Sequence, residues 1–362
     1  MSKGRVAVAM SGGVDSSVAA CLLQSQGYDV VGVTMKLWSD ANAEAPRHSQ
    51  GCCSIEDVED ARRVCQIIGV PHYVLDFQRE FQAHVIDYFV GEYRGGRTPH
   101  PCLACNDKIK FDFLMERANA LGMEYVATGH YARLDSSNRP TRLLRGVDPR
   151  KDQSYALFNL RPHQLQHLLL PVGWYAKMAI RDMARKAGLP VADKPDSQEI
   201  CFIPQNDYRA FLAERFPSTP GDIVDADGAV LGHHQGIHLF TVGQRRGLGV
   251  HAQRPLFVLA LDGEANRVVV GPAEGLLQDT LRATGVSYVS GEPPDGPLEV
   301  EAKIRYNFPQ ARATLTPQGD GVEVRFHVPQ RAITPGQAVV FYQGDEVLGG
   351  GIIESATLLA GR

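Results

Sequence analysis

The chain has 362 residues, of which 44% are hydrophobic and 22% charged, ordinary values for a globular protein of two or three domains. No apolar run approaches the roughly 20 residues that cross a bilayer, and Met1–Gly4 leads directly into a predicted strand. We therefore expect neither a membrane span nor a signal peptide, and a cytoplasmic location. The formal net charge of −4 neither supports nor excludes a nucleic-acid partner, because local basic patches can contact phosphates.

The N-terminal stretch has the pattern of a buried strand, a glycine-rich turn and a helix. An apolar run at Arg5–Met10 predicts the strand, Gly12 and Gly13 permit a tight turn, and Val14–Gln26 has helical character up to Gly27. This geometry directs several backbone N–H groups and the positive end of the helix towards one point. The stretch therefore predicts a binding site for an anion.

Side chains in the same stretch narrow the chemistry. Ser11, Ser16 and Ser17 add hydroxyl donors, and Asp15 is a candidate to hold Mg²⁺ or to orient a nucleotide. No Lys follows the glycines, so the stretch differs from the G-x-x-x-x-G-K-[ST] loop. A loop without that Lys fits a pyrophosphate leaving group, with attack on the α-phosphorus of a nucleotide.

Strands and helices alternate through the first half of the chain. Further strands are predicted at Asp29–Met35, His72–Asp76 and Glu124–Ala127, a hairpin at Leu134–Leu144, and helices at Ile55–Ile68, Gln78–Arg94, Pro162–Leu170 and Tyr175–Ala187. This alternation predicts an α/β fold with a doubly wound, mostly parallel sheet. Ligands of such sheets bind beyond the carboxyl ends of the strands, where Met35 and Gly129 fall.

The segment Gly95–Cys105 contains too many glycines and prolines for regular structure. We expect Asn106 to cap a helix over Asp107–Leu121, so that Cys105 stands immediately before its N-terminus. The helix dipole favours a thiolate at that position and lowers its pKa.

The sequence pattern changes near Pro204. A last amphipathic helix is predicted at Asp207–Phe216, and short strands separated by Gly, Pro and Asp turns follow it. These strands are predicted at Phe257–Asp262, Arg267–Gly271, Leu298–Tyr306, Ala311–Leu315, Gly321–Phe326, Ala338–Tyr342 and Glu346–Ile353. The last five of them predict a small closed barrel.

The chain contains 7 cysteines, an odd number without export signals, so a structural disulfide framework is not expected. Cys21 and Cys65 fall in apolar helical patterns and are predicted core residues. The other five lie in polar or Gly/Pro-rich stretches: Cys52, Cys53, Cys102, Cys105 and Cys201. Cys105 and Cys201 form the strongest pair, since one thiolate could carry a terminal sulfur as a persulfide and the other could release it.

Cys102 and Cys105 form a C-x-x-C pair that leaves other interpretations open. The pair fits a redox couple, half of a zinc site or, together with Cys201, three ligands of an iron–sulfur cluster with one open iron. Cys52 and Cys53 are adjacent and lack the usual spacing of zinc ligands.

Polar residues elsewhere suggest contacts to a base or to RNA. His130 follows Gly129 at a strand end and is a candidate for ordering a nucleotide or a base. The runs Lys151-Asp152-Gln153 and Arg305-Tyr306 combine charge with an aromatic face, the combination used for single-stranded bases.

Several longer motifs together give a specific resemblance. They are SGGVDSSV, GRTPHPCLACNDKIKF, ATGHYARL, KDQSYALF, DSQEICFI, HHQGIHLFTVGQRRGLG, KIRYN and TPGQAVVFYQGDEVLGGGII. In order and spacing, over essentially the whole chain, they resemble the MnmA family of tRNA-specific 2-thiouridylases, which are PP-loop ATP pyrophosphatases. The resemblance implies a PP-loop catalytic domain at 1–205, a small β-rich central domain at 206–275 and a C-terminal β-barrel at 276–362.

The resemblance also implies roles for individual residues. Cys105 corresponds to the nucleophile and Cys201 to the bearer of the persulfide. The implied contacts to ATP are Ala9, Met10, Ser11, Gly12, Gly13, Val14, Asp15, Ser16, Met35 and Gly129. The implied contacts to the target base are His100, Pro101 and Cys102. The implied contacts to tRNA are His130, Lys151, Asp152, Gln153, Arg305, Tyr306 and Gln343.

The implied reaction converts the wobble uridine, U34, of certain tRNAs to 2-thiouridine and releases AMP and pyrophosphate. It requires ATP with Mg²⁺, the anticodon stem-loop of tRNA, and a persulfide donor or relay protein. Some members have Asp where this chain has Cys102, so a general-base role assigned to that Asp either passes to Cys102 or lies elsewhere. The same Cys keeps iron–sulfur chemistry open.

Two further functions compete with thiolation. An ammonia-using ligase on the same loop would leave Cys105 and Cys201 without a role. The second hypothesis, a non-catalytic RNA-binding protein, is supported only by the β-rich C-terminal half.

Overall fold

The computed structural model describes residues 2–38, 55–137, 140–196, 200–203 and 207–357. Within these residues the strands, in chain order, are β1 Arg5–Ala9, β2 Asp29–Lys36, β3 His72–Asp76, β4 Tyr125–Ala127, β5 Ala132–Asp135, β6 Arg142–Arg145, β7 Leu168–Leu169, β8 Gly221–Val224, β9 Val230–His234, β10 Phe257–Asp262, β11 Arg267–Gly271, β12 Leu277–Tyr288, β13 Leu298–Lys303, β14 Ala311–Gln318, β15 Gly321–Arg331, β16 Ala338–Gln343 and β17 Glu346–Thr357.

The first sheet is parallel and has the strand order β3-β2-β1-β4-β7. Side chains of β1 alternate between two cores, because successive residues of a strand point to opposite faces. Ala7 and Ala9 enter one apolar cluster, and Val6 and Val8 enter the other. Both faces of the sheet are therefore covered, which confirms the predicted doubly wound α/β fold.

Helices cover the two faces of this sheet. They are Val14–Ser25, Ile55–Ile68, a continuous helix over 78–94, a continuous helix over 101–120, Pro162–Leu165, Lys177–Lys186 and, before the second sheet, Tyr208–Ala213. The helix over 78–94 is π-helical at Gln82–Ile86, and the helix over 101–120 is π-helical at Cys105–Phe113. Such bulges are frequent at functional sites.

Two predictions about helices are wrong. The helix that was expected to begin at Asp107 begins at Pro101 with His100 at its N-cap, because proline at the first helical position has a suitable φ and needs no N–H partner. The helix expected over Pro162–Leu170 ends at Leu165, and Leu168–Leu169 instead pairs with β4 at the edge of the parallel sheet. Two residues are too few for sequence periodicity to reveal a strand.

The remaining strands form two further sheets. A four-stranded sheet has the order β10-β11-β8-β9 and its own small core around Val258, Val268 and Val270. The strands β12, β15, β14, β13, β16 and β17 follow one another around a barrel, which closes through the pairing of β12 with β17. This closure confirms the predicted C-terminal β-barrel.

The hairpin β5–β6 connects the first sheet to the barrel. It leaves the end of β4, and its strand β6 pairs with β17 at Glu346 and Val347. The hairpin therefore fixes the barrel against the carboxyl ends of the parallel strands. Within the described ranges, no helix combines the length and apolar character needed to span a membrane.

Candidate active site

The turn between β1 and the helix Val14–Ser25, which we call the glycine loop (Ser11–Ser16), lies at the carboxyl end of the central strand. Gly12 has φ +68, and a Cβ at this position would lie 2.3 Å from the carbonyl oxygen of Asp57. Gly13 occupies the N-cap position in extended backbone and contributes no side chain there. The turn therefore requires Gly12 for both its backbone conformation and its close packing.

Hydroxyl groups hold the glycine loop in shape. Ser16 Oγ accepts from the Ser11 N–H at 3.2 Å and donates to the Gly13 carbonyl at 3.1 Å. Ser17 Oγ donates to the same carbonyl at 2.8 Å. Ser16 and Ser17 are buried, whereas Ser11 is exposed, with its Oγ 3.4 Å from Ser16 Oγ.

Gly129 lies directly against the glycine loop. A Cβ on Gly129 would stand 2.7 Å from the Ser16 nitrogen and 2.8 Å from the Asp15 carbonyl carbon. The chain beyond β4 therefore approaches the loop closely, as the glycine suggested. Met35, at the end of the neighbouring strand β2, is half-buried against the adjoining apolar cluster.

Asp15 is bound by a lysine that no sequence motif indicated. Lys177, the first residue of the helix Lys177–Lys186, places its Nζ 2.8 Å from both carboxylate oxygens of Asp15, and the Tyr131 hydroxyl donates to Oδ1 at 2.7 Å. Burial, followed by the charge of Asp15, raises the pKa of Tyr131, so the phenol stays protonated. No local motif marks Lys177, since it is remote from the loop in sequence.

Two more charged residues, Lys194 and Asp196, connect residues 194–196 to the region around the glycine loop. Lys194 Nζ donates to the Gly12 carbonyl at 3.0 Å and contacts Asp57 and Asp60 at 2.7 Å each. Burial alone would raise the pKa of Asp196, but hydrogen bonds and charges from Lys151 and Lys177 outweigh it and lower that pKa to about 2.

The structure brings Cys105 and Cys201 to one apolar cluster. Cys105 is 8% exposed inside the cluster, and Cys201 is half-buried and packs against it. Phe202, the residue after Cys201, packs its ring 5.6 Å from that of Phe81 and 5.4 Å from that of Phe89. These contacts hold the chain next to Cys201 in place. Two residues that are distant in sequence thus share one environment beside the parallel sheet.

The expected position of Cys105 before a helix N-terminus is wrong. Because the helix begins at Pro101, Cys105 is one turn inside it and opens the π-helical stretch Cys105–Phe113. The helix N-terminus is instead next to Cys102, which is exposed. The helix dipole acts mainly within the first turn, so it does not single out Cys105.

The described residues do not provide a metal-binding group. In the ranges given above, no three His, Cys, Asp or Glu side chains lie together as metal ligands, and a cluster held by Cys102, Cys105 and Cys201 stays a prediction. Cys52 and Cys53 lie outside the described residues.

A second feature, which we call the aromatic junction, consists of His100, Tyr155 and Tyr306. Their ring centroids are 5.9–6.2 Å apart, and Lys303 Nζ lies 5.8 Å and 5.6 Å from the two tyrosine rings. Burial lowers the pKa of His100, and its buried Nδ1 has no hydrogen-bond partner among the described residues. Pro101 is buried beside it, and Cys102 lies on the exposed side.

Several predicted tRNA contacts use their side chains inside the protein. Asp152 accepts from the Gly146 and Ser154 N–H groups at 3.0 Å and 3.1 Å, and Gln153 Oε1 accepts from the Tyr131 N–H at 2.9 Å. These bonds form the loop that supports the aromatic junction, where the Tyr306 hydroxyl donates to the Asp152 carbonyl at 3.2 Å.

His130 is buried beneath this loop. Its Nδ1 is 2.6 Å from Thr128 Oγ1 and its Nε2 is 3.5 Å from Lys110 Nζ. Burial, and then the charge of Lys110, lowers the pKa of His130 well below its ordinary value, so the ring is neutral.

The other predicted tRNA residues differ in exposure. Arg305 Nη2 donates to the Val242 carbonyl at 3.1 Å and to Thr334 Oγ1. Its guanidinium therefore connects the barrel to the part of the chain that contains Val242, between the helix Tyr208–Ala213 and β10. Lys151 is half-exposed and contacts Asp196 at 2.7 Å, and Gln343 is exposed at the end of β16. A direct contact to tRNA stays a prediction for each of them.

Three family models match consecutive parts of the chain. The tRNA methyl transferase HUP domain matches residues 4–205, the tRNA methyl transferase PRC-barrel domain matches 209–272, and the Aminomethyltransferase beta-barrel domain matches 278–353. The first model alone covers more than half of the chain.

Curated relatives match over nearly their whole length. The tRNA-specific 2-thiouridylase MnmA of Clostridium perfringens is 51% identical over 358 residues, covering 98% of this chain and 99% of the relative. Proteins of the same name are 54% identical in Heliobacterium modesticaldum, covering 97% and 92%, and 52% identical in Carboxydothermus hydrogenoformans, covering 97% of both. This chain belongs to the MnmA family of tRNA-specific 2-thiouridylases.

Proposed function

We propose that this protein is a cytoplasmic tRNA-uridine 2-sulfurtransferase, which adenylates O2 of the wobble uridine, U34, with ATP and replaces that oxygen by sulfur from a persulfide on Cys201. The family relationship supports the substrate and the reaction. The observation that carries the sulfur chemistry is the packing of Cys201 against the apolar cluster that contains Cys105.

The glycine loop suits the first step. The backbone N–H groups at its helix N-terminus and the exposed Ser11 would hold the phosphates, and the close approach of Gly129 would limit the space above them. Mg²⁺ would enter with ATP and offset the phosphate charge. The uracil O2 attacks the α-phosphorus, pyrophosphate leaves, and the oxygen becomes part of a good leaving group, AMP.

The thiol pair suits the second step. Cys105 thiolate attacks the inner sulfur of the Cys201 persulfide, so the terminal sulfur leaves as hydrosulfide and the two cysteines become a disulfide. The hydrosulfide attacks C2 of the adenylated uracil, and AMP departs with the original oxygen. An external reductant, a dithiol, then restores both cysteines, and a persulfide donor or relay protein reloads Cys201.

The aromatic junction suits the target base. A stacked uridine conceals its C2 oxygen, so the base must leave the anticodon stack and find aromatic and polar partners. The half-buried ring of Tyr306 and the unsatisfied Nδ1 of His100 offer both kinds of partner, with the buried Tyr155 supporting the Tyr306 ring. Lys151 and Gln343 would lie towards the anticodon stem-loop.

We propose domain limits of 1–205, 206–275 and 276–362, which separate the three sheets except for the hairpin β5–β6.

Iron–sulfur chemistry has less support. The structure shows no grouping of Cys102, Cys105 and Cys201 as cluster ligands within the described part of the chain, so we derive no step from one. Cys102 is exposed beside the junction, where a general-base role would require it to reach the uracil.

Two half-reactions test the proposal. With Cys201→Ser or Cys105→Ser, formation of 2-thiouridine, measured by mass spectrometry of digested tRNA, should fall by on the order of 100-fold or more. ATP–pyrophosphate exchange that depends on tRNA should stay within about threefold of wild type, since adenylation precedes sulfur release. Cys21→Ser, a half-buried thiol on another helix, is the matched control and should change neither. Normal thiolation by C201S would refute the persulfide role, and absence of exchange in wild type would favour a non-catalytic RNA-binding protein.

A further inference from the structure

Lys303, the last residue of β13, places a positive charge at the aromatic junction. Its Nζ lies 5.8 Å from the ring centroid of Tyr155 and 5.6 Å from that of Tyr306. An ammonium group within about 6 Å of a ring centroid is attracted by the negative face of the ring. The two tyrosines therefore keep the Lys303 ammonium beside the junction.

The Lys303 ammonium has no acceptor within the part of the chain that the structure describes. Its contacts there are the two tyrosine rings, and no hydrogen bond or ion pair joins it to a side chain or a carbonyl group. The charge of Asp152 acts on it, but that carboxylate already accepts from the Gly146 and Ser154 N–H groups and pairs with Arg145. Lys303 is half-buried, and burial lowers the pKa of its ammonium. Its N–H donors are therefore available to an acceptor that enters the junction.

The groups around Lys303 suit a planar base. The ring of Tyr306 is half-buried, and His100 lies 6.2 Å from it with a buried Nδ1 that lacks a partner among the described residues. Unpaired bases stack on aromatic rings, whereas phosphate groups gain nothing from a ring face. These surroundings favour the edge of a base over a phosphate of the RNA backbone as the acceptor for Lys303.

Uracil and cytosine differ at the atom that such a donor would contact. Uracil has a carbonyl oxygen, O4, where cytosine has an amino group, which is itself a donor. A lysine ammonium can only donate, so it binds the oxygen and opposes the amino group. In the proposed reaction O2 is the reacting atom, which leaves O4 as the carbonyl oxygen of uracil that is free for recognition.

We propose that Lys303 is a specificity-determining residue that donates a hydrogen bond to O4 of the target uracil and disfavours cytosine at the same position. This inference rests on the proposed function, in which the aromatic junction receives the base at position 34. A charged donor in a half-buried site discriminates strongly, because an unmatched base leaves the charge without a partner. Lys303 thereby acts on the choice of base, and the chemistry of ATP and sulfur is left to the glycine loop and the cysteines.

The test measures binding of anticodon stem-loop RNAs to the full chain without ATP. Three stem-loops differ only at position 34, which is uridine, 4-thiouridine or cytidine, and each competes with a fluorescent stem-loop. 4-Thiouridine keeps O2 and the N3–H group but replaces O4 by sulfur, a weaker acceptor. Wild type should bind the uridine stem-loop about fivefold more tightly than the 4-thiouridine one and on the order of 100-fold more tightly than the cytidine one.

Four variants separate recognition of O4 from a structural role. Lys303→Met should bind the uridine stem-loop about tenfold more weakly than wild type does and should bind the 4-thiouridine stem-loop equally well, within about twofold. Lys303→Arg keeps the charge and the donors and should retain the preference for uridine. Lys303→Gln, whose amide offers cytosine an acceptor, should lose that preference and gives a second reading if K303M does not fold. Lys186→Met is the matched control, since it removes an exposed lysine from the helix Lys177–Lys186, and it should behave as wild type does.

Two results would overturn the role of Lys303. One is an undiminished preference for uridine in K303M or K303Q, or equal binding of uridine and 4-thiouridine by wild type. The other is an equal loss of affinity for all three stem-loops in K303M, which would place the ammonium on a phosphate or make its role structural.

Formation of 2-thiouridine in whole tRNA is measured on the same wild-type protein. If it does not occur, the proposed function fails and this inference fails with it. Normal thiolation together with either of the two results above removes only the role of Lys303.

Discussion

The glycine loop and the aromatic junction are built in opposite ways. The hydroxyl contacts within the loop join Ser11, Gly13 and Ser16, which are neighbours in sequence, and Lys177 and Lys194 add contacts from distant parts of the chain. The rings of the junction belong to His100, Tyr155 and Tyr306, which come from three distant parts of the chain. The turn of the loop is thus formed by neighbouring residues and supported within the first sheet, whereas the junction exists only after the parallel sheet and the barrel have come together.

The two regions should therefore respond differently to substitutions. A change in the loop should damage nucleotide chemistry and leave most of the fold intact, since its shape depends on few residues. A change at the junction should first lower the free energy of unfolding, because the same side chains join separate sheets. Three predictions test this division, beginning with the largest effect.

Replacing Gly12 by alanine should have the largest effect. The new Cβ would meet the Asp57 carbonyl oxygen at 2.3 Å, and the residue would keep φ +68, so the loop must change its shape. We expect tRNA-dependent ATP–pyrophosphate exchange to fall by on the order of 100-fold, because small displacements of phosphate-binding groups are costly for catalysis.

Gly27→Ala is the control for G12A. Gly27 has φ +91 but open space around its Cβ position, so alanine there costs only backbone strain, on the order of 1 kcal/mol. Exchange should stay near the wild-type rate in G27A. An equal loss of exchange in both variants would show that backbone strain, and not contact with Asp57, disables the loop.

In the barrel near the aromatic junction, Arg305→Met should lower the free energy of unfolding and have a smaller effect on catalysis. The guanidinium donates to the Val242 carbonyl at 3.1 Å and to Thr334 Oγ1, and its burial lowers the pKa of Arg305. Loss of these charged hydrogen bonds should reduce the free energy of unfolding by about 2 kcal/mol, measured by urea denaturation. Arg312→Met, an exposed arginine on β14, should change it by less than about 0.5 kcal/mol. Unchanged stability in R305M together with weaker tRNA binding would instead make Arg305 a direct tRNA contact.

The same contrast explains what the sequence revealed. The strand β1, the glycine loop and the following helix were predictable because their pattern is contiguous, and the barrel strands were predictable because apolar alternation is also local. Lys177 was not predictable, since an amphipathic helix gives no sign of which distant carboxylate its first residue will meet. The early helix start at Pro101 was hidden by an apparent excess of turn residues.

For the aromatic junction, single residues could be identified from the sequence, but their arrangement in space could not. His100 was singled out by resemblance and Tyr306 also by its charged and aromatic run, yet no pattern placed their rings 6.2 Å apart. Nor did any pattern indicate that Asp152 and Gln153 would bond to backbone groups rather than face solvent. Contacts between separate sheets depend on the closed barrel and on the pairing of β6 with β17, which local periodicity does not encode.

Two groups outside the glycine loop and the aromatic junction, His130 and the charge network around Asp196, should contribute to stability in different pH ranges. Burial keeps His130 neutral in the folded protein, with its pKa well below 6.5, while the unfolded chain takes up a proton below about 6.5. The unfolded state then binds more protons, so stability falls as the pH falls below that value, by up to about 1.4 kcal/mol per pH unit for this residue. His130→Gln should reduce this slope in urea denaturation measured between pH 7 and 5.

The charge network around Asp196 should respond only at lower pH. The pKa of Asp196 is lowered to about 2 from an ordinary value of 3.8, so its contribution is complete above about 4 and is lost as the pH falls towards 2. D196N should therefore leave the slope between pH 7 and 5 unchanged. A slope in H130Q equal to that of wild type would show that protonation of other histidines dominates this range.

Tyr306→Phe should have the smallest effect and gives the sharpest test of the contrast. The change removes only the hydroxyl that donates to the Asp152 carbonyl at 3.2 Å and leaves the ring against Tyr155 and Lys303. We expect unfolding to become easier by about 1 kcal/mol, the usual worth of one neutral hydrogen bond, and exchange to stay near the wild-type rate. Tyr73→Phe, on an exposed edge strand, should not alter stability measurably.

The opposite result for Y306F would remove the distinction between the two regions. If exchange fell by more than about tenfold at unchanged stability, the hydroxyl would act on the tRNA or on the reacting base, since a loss of fold would also appear in denaturation. The junction would then carry chemistry as directly as the glycine loop does. If the loss appears only in denaturation, the Tyr306 hydroxyl serves to hold the loop at Asp152 in place, and the base is recognised by ring surfaces and by His100.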